Sequence, residues 1–244
     1  MTDRWTHPAW RAGGAEDILF CFPHAGAGAS VYRRWTEAFA PSIAVCPLQL
    51  PGRENRIRET GGPDVAEIAA AIRRRADRPY AVYGHSMGAW IGFEVVRELC
   101  RDGGARPRGL FVSAADPPDA GDGYAVRLAG LDDDDLLAEL TRLGGVDPEV
   151  LEHPELVAFV LPTIRVDLRW LAARTHHPEA PLDIPVVAVA GAADPIVPAG
   201  AMEGWRRQTA RRFSLHLLPG GHFAPHDQVS RLAAIVRREL SSAT

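Results

Sequence analysis

The stretch Tyr80-Ala81-Val82-Tyr83-Gly84-His85-Ser86-Met87-Gly88-Ala89 decides the fold. Its first four residues read as a buried strand, and Met87 to Arg101 reads as a helix that is apolar nearly all round from Ala89 to Val96. Between them stands G-x-S-x-G. A strand that turns sharply into a buried helix through this pattern is a nucleophile elbow: the glycines permit the tight turn, the serine is held in strained backbone geometry with its hydroxyl exposed, and the helix N-terminus sets N–H groups beside it. A bare G-x-S-x-G is common, so the strand before it and the helix after it carry the signal.

Outward from the elbow, short runs rich in Val, Ile, Leu and Phe recur at Ile18 to Phe22, Ile43 to Leu48, Leu110 to Ser113, Val186 to Ala190 and Phe213 to Leu218, with helical stretches between them. That alternation predicts an α/β fold with a mostly parallel sheet covered by helices on both faces. Each run ends in turn chemistry, and in such sheets ligands bind at the loops following the strands. One connection is too long. The 68 residues from Ala115 to Leu182 exceed what a crossover needs and predict an inserted helical lid within a single domain spanning 1–244. Inside it, Asp132 to Asp135 followed by Leu136, Leu137, Leu140 and Leu143 reads as an N-capped helix closed by Gly144-Gly145, a better reading for these aspartates than a metal site. Val157, Val160, Leu161, Ile164, Leu168 and Leu171 make a second one-sided helix, kinked or split by Pro162.

A serine hydroxyl needs a base, and the base needs a carboxylate to orient it. In this fold they follow in the order Ser, Asp or Glu, His. Asp194 ends the loop after Val186 to Ala190, and His222 follows Phe213 to Leu218 beside Gly220 and Gly221, which let the backbone approach the site. His226 at the start of the last helix, His216 within a strand and His176-His177 leaving the lid are weaker candidates, and Asp183 stands at the wrong end of its strand. His85 reads as a packed elbow residue. The catalytic set is therefore Ser86, Asp194 and His222. For the oxyanion, the N–H of Met87 directly after the nucleophile and that of Ala25, in the Gly-rich turn after the first strand, are the expected donors.

Composition narrows the remainder. With 244 residues, 46% hydrophobic and 24% charged, the chain can bury a substantial core. It has no apolar run long enough for a membrane span and no secretory leader pattern. Cys21, Cys46 and Cys100 are too few and scattered for a disulfide framework or zinc site, which suits a reducing cytoplasm. A net charge of -4 argues against bulk nucleic-acid binding. All 27 basic residues are Arg, as codon bias in a GC-rich genome would produce.

Taken in order, Phe22-Pro23-His24-Ala25-Gly26, Leu50-Pro51-Gly52-Arg53-Glu54, Gly84-His85-Ser86-Met87-Gly88-Ala89, Asp194-Pro195 and Gly221-His222-Phe223 resemble the type II thioesterases of polyketide and nonribosomal peptide synthesis, with the α/β-hydrolase fold. Lid segments 140–145 and 161–168 resemble them too. Ala27 departs from the family, which often has a second consecutive Gly there. The resemblance implies an editing enzyme that hydrolyses misprimed or stalled acyl groups from the phosphopantetheine arm of acyl or peptidyl carrier proteins. It implies no metal or redox cofactor, since pantetheine arrives on the substrate. The residues themselves leave other activities open, because one triad serves an ester, amide or thioester: a small-molecule carboxylesterase, an acyltransferase, or a binding module without chemistry. Leu140 and Leu161 lead the apolar faces expected to roof an acyl chamber. Arg53, with Arg56 and Arg58, is expected to rim its mouth and pair with the pantetheine phosphate or an acidic carrier.

Overall fold

The computed structural model describes residues 4–6, 10–101, 103–120, 123–146 and 148–242. In chain order the elements are β1 (Asp17–Phe22), α1 (Trp35–Phe39), β2 (Ile43–Pro47), α2 (Val65–Arg75), β3 (Tyr80–His85), α3 (Met87–Arg101) and β4 (Leu110–Ser113). Then come α4 (Gly123–Ala129), α5 (Asp133–Arg142), α6 (Pro148–Leu151), α7 (Pro154–Ala172), β5 (Val186–Gly191), α8 (Ala199–Met202), β6 (Phe213–Leu218), α9 (Ala224–Asp227) and α10 (Val229–Ser241). The strands form one sheet in the order β2-β1-β3-β4-β5-β6, every adjacent pair parallel.

Strand residues alternate between two cores, as the pleat requires. Ile18, Phe20 and Phe22 of β1 with Val82 of β3 face α2 and α3, where Ile68, Ile72, Ile91 and Val95 meet them. Leu19 and Cys21 with Tyr83 face the opposite way, onto Trp35 and Phe39 of α1 and Leu232 and Val236 of α10. Both faces of β1, β3, β4 and β5 are thus covered, which is why these strands read as continuous apolar runs, while edge strand β6 is only partly buried. No helix among the described residues is long and apolar enough to cross a membrane.

Helices α4 to α7 occupy the long connection between β4 and β5. Asp132 caps α5 by accepting from the Asp135 N–H at 2.9 Å. At the other end Gly145 and Gly144 donate to Leu140 and Thr141 carbonyls, both at 2.9 Å, closing the helix as the Gly-Gly pair predicts. Pro162 does not split its helix: α7 runs from Pro154 to Ala172 with the proline inside it. An interior proline costs about 3 kcal/mol. Burial of Ile164, Leu168 and Leu171 beyond it contributes roughly 1.5–3 kcal/mol apiece and outweighs that cost.

Candidate active site

All strands being parallel, the loops after β1, β3, β5 and β6 open on one edge of the sheet, and they carry Ala25, Ser86, Asp194 and His222. Ser86 sits between β3 and α3 at φ 53, in the left-handed region. For a residue other than glycine this costs roughly 1–3 kcal/mol and survives only where the surroundings impose it. Here they do. Its N–H donates to the Ser113 carbonyl at 2.8 Å, and its own carbonyl accepts from Ala89 at 3.0 Å. A Cβ on Gly84 would collide with the Gly88 carbonyl, and one on Gly88 with the Phe22 carbonyl. The glycines of the motif therefore serve close approach among β1, β3 and α3, while the serine itself takes the unusual dihedral.

Asp194 and His222 meet across two loops, the Nδ1 of His222 standing 2.9 Å from Oδ2 of Asp194. Oδ1 accepts from the Ile196 and Val197 N–H groups at 2.8 and 3.1 Å. Burial by itself would raise the Asp194 carboxyl. The hydrogen bond and charge of His222 and the two backbone donors outweigh it, holding the group below its ordinary value. With the carboxylate ionised, Nδ1 carries the imidazole proton and donates, which leaves the Nε2 lone pair free to accept one. The close approach of these loops depends on a glycine that sequence reasoning did not single out. A Cβ on Gly191 would collide with the Gly221 carbonyl, whereas one on Gly221 would meet only an ordinary contact at 3.8 Å.

Ser86 and His222 line one cavity with Ala25 and Met87. Gly26 and Ala27 spend their N–H groups on Asp167 and on the His24 carbonyl, at 2.7 and 3.1 Å, which leaves Ala25, a lining residue of the cavity, as the candidate donor ahead of them in that turn. Met87 is the first residue of α3, where N–H groups lack an intrahelical acceptor. The opposite wall comes from the insertion, with Tyr124 and Leu128 of α4, Leu140 of α5, and Ile164, Leu168 and Leu171 of α7. Asp116, just after β4, also lines it. Leu161 does not: one turn before Ile164, it packs against the core outside the cavity lining.

Arg53 requires the larger correction. It is 5% exposed, and its Nη1 and Nη2 donate to Asp167 at 2.8 and 2.7 Å. Nε donates to the Pro51 carbonyl and Nη1 also to that of Ala27, both at 3.0 Å. All three guanidinium nitrogens are engaged inside the protein, so Arg53 is a brace and not a cation offered to phosphate. Arg56 is buried likewise, paired with Glu59 and stacked over the Trp5 ring at 4.4 Å. Of the three, Arg58 alone is exposed. Asp167, which sequence reasoning missed, left a signal: a carboxylate three residues after Ile164 and four before Leu171 lies on the apolar stripe of α7 and must find a buried partner.

Comparison with known proteins agrees with this geometry. A thioesterase-domain family model matches residues 17–240. Thioesterase PikA5 of Streptomyces venezuelae is 39% identical over 93% of this chain and 85% of its own. The solved structure of the RedJ thioesterase from the prodiginine pathway of Streptomyces coelicolor superposes with a TM-score of 0.84 at 38% identity, covering 94% of this chain and 92% of that one. The type II thioesterase BorB, from the borrelidin biosynthetic cluster, gives 0.80 at 32% identity over 98% and 96%. An elbow serine in an all-parallel sheet, matched end to end by such relatives, makes this α/β-hydrolase fold a thioester hydrolase: the chain belongs to the thioesterase family, among the type II thioesterases of polyketide and nonribosomal peptide synthesis.

Proposed function

We propose that the chain releases misprimed or stalled acyl groups from the phosphopantetheine arm of acyl or peptidyl carrier proteins, through an acyl-enzyme on Ser86. The observation that carries this reading is a serine strained at φ 53 in a cavity that also presents an imidazole bonded to a buried carboxylate. In the first half-reaction Ser86 Oγ attacks the thioester carbonyl carbon as His222 Nε2 takes its proton. The oxyanion accepts from the N–H groups of Ala25 and Met87, and its collapse breaks the C–S bond, with the proton returning from His222 to the departing thiol. Water then gives its proton to His222 and attacks the acyl ester. The free acid leaves, and Ser86 recovers its proton. Asp194 fixes the tautomer and favours the transient imidazolium. This chemistry calls for no metal or redox cofactor.

In the same reading α4 to α7 act as the lid over the acyl chain, and the enzyme works in the cytoplasm, where Cys21, Cys46 and Cys100 stay as free thiols. The deciding experiment is intact-mass measurement of acyl-loaded carriers before and after incubation. Loss of the acyl mass with appearance of free acid is expected. Unchanged carriers alongside rapid hydrolysis of simple p-nitrophenyl esters would make it a carboxylesterase, and acyl transfer onto an added alcohol or amine would make it an acyltransferase.

A further inference from the structure

Three imidazoles that the proposed hydrolysis does not use converge behind the cavity. His24 follows β1, His85 ends β3 and His226 lies in α9, and one ring nitrogen of each comes within 4.8 Å of the other two. His24 Nδ1, His85 Nε2 and His226 Nε2 are buried without a hydrogen-bond partner. Leaving a buried polar atom unsatisfied costs roughly 1–3 kcal/mol, so three at one place point to something that binds them.

We propose that His24, His85 and His226 form a three-imidazole site for a borderline transition-metal dication of the Zn2+ type. Nitrogen-only ligation without a carboxylate suits Zn2+ among common dications. Tetrahedral Zn2+ with bonds of about 2.0–2.1 Å sets its nitrogens about 3.4 Å apart, a spacing that modest ring rotations reach from 4.8 Å and that leaves a fourth position for water. The surroundings keep the lone pairs available. Burial first, and the neighbouring imidazoles second, hold His24 and His85 well below the ordinary histidine value, and burial with His222 brings His226 to about 4. Arg53, a cation whose field reaches His24, is neutralised by Asp167. The other nitrogen of His85, Nδ1, is 2.9 Å from Ser113 Oγ, which is 2.7 Å from the Tyr83 hydroxyl, the kind of outer contact that orients a ligating imidazole. Entry runs through the cavity, which His24 lines.

The test uses the untagged, chelator-stripped chain dialysed against micromolar Zn2+, with metal per chain read by mass spectrometry without substrate. One Zn2+ per chain is expected for the wild type and for His222→Ala. His226→Phe, which keeps a ring against Tyr32 and Trp35, should lose binding at least tenfold. Ser113→Ala should weaken it by about 10–100-fold, and decides the matter if His226→Phe does not fold. No stoichiometric Zn2+ on the wild type would overturn the site in favour of buried water. So would loss of binding in His222→Ala with retention in His226→Phe, which would put the metal on His222.

Discussion

Asp167 accepts two hydrogen bonds from Arg53, at 2.7 and 2.8 Å, and a third from the Gly26 N–H at 2.7 Å. One carboxylate on α7, fully out of solvent, thus fastens the insertion both to the loop after β2 and to the turn that holds Ala25. Breaking a buried pair by removing one partner leaves the other charge uncompensated, at roughly 3–5 kcal/mol. Asp167→Ala should therefore lower Tm by roughly 10 °C in a thermal scan, and should slow turnover by displacing the turn at Ala25. Arg53→Ala should lose activity equally on an acyl-carrier and on a short acyl-cysteamine thioester. A loss confined to the carrier substrate would restore Arg53 as a docking residue.

The proposed triad makes separable demands. Ser86→Ala should reduce acyl release by on the order of 10³-fold or more while leaving the Tm unchanged, since Ser86 is held by its backbone and only the hydroxyl is lost. Asp194→Asn should cut kcat by on the order of 10⁴-fold with little change in KM, because an amide facing Nδ1 selects the wrong tautomer. Steady-state kinetics on one loaded carrier measures both. Hydrolysis within tenfold of wild type in Ser86→Ala would remove Ser86 as the nucleophile.

These contrasts show what the sequence could and could not convey. The central strands were legible because burial on both faces writes β1, β3, β4 and β5 as apolar runs, and the elbow because strand, motif and helix are contiguous. The meeting of Asp194 with His222 followed from chain order in a parallel sheet. Arg53 was misjudged because its position after a strand end is a local fact, whereas its partner Asp167 lies 114 residues away. Leu161 and Ile164 share one apolar stripe in sequence, and only the placement of α7 over the cavity separates them. The His24, His85 and His226 cluster was invisible for the same reason: its members come from the turn after β1, the end of β3 and α9, with no spacing to mark them.

Glu139 supplies a pH-dependent test of the insertion's integrity. It accepts from Arg142 at 2.8 and 3.0 Å, from Arg127 at 2.7 Å and from the Tyr124 hydroxyl at 2.9 Å, clipping α5 to α4. The bonds from Arg142, then Arg127, then Tyr124 hold its carboxyl well below the usual carboxylate range. As pH falls the unfolded chain is protonated first, near the ordinary value of about 4.3, so the stabilisation is complete above that pH and drains away as pH drops toward the lower folded value. The Tm deficit of Glu139→Gln should stay constant from pH 8 to about 5.5 and shrink below about 4.5. It should be small, since exposed pairs contribute roughly 0.2–1 kcal/mol each. A deficit that instead vanished between pH 8 and 6 would assign it to another group.

The cavity wall distinguishes Leu140 from Leu161, although both lie on apolar faces of the insertion. Leu140 lines the cavity with Ser86 and His222, so Leu140→Phe should shorten the space available to an acyl chain and Leu140→Ala should lengthen it. Each buried methylene is worth about 0.8 kcal/mol, and a change of several carbons in fit should alter the ratio of kcat/KM for long and short acyl carriers by roughly 10–200-fold. Leu161 packs outside the cavity lining, so Leu161→Ala should lower Tm while leaving that ratio as in the wild type. Comparing a chain-length series for the three variants, with hydrogen exchange of residues 115–182 against the sheet, reads specificity and the mobility of that connection together. If Leu140 substitutions lower Tm but preserve the chain-length order, this wall is core packing and the acyl chain lies elsewhere.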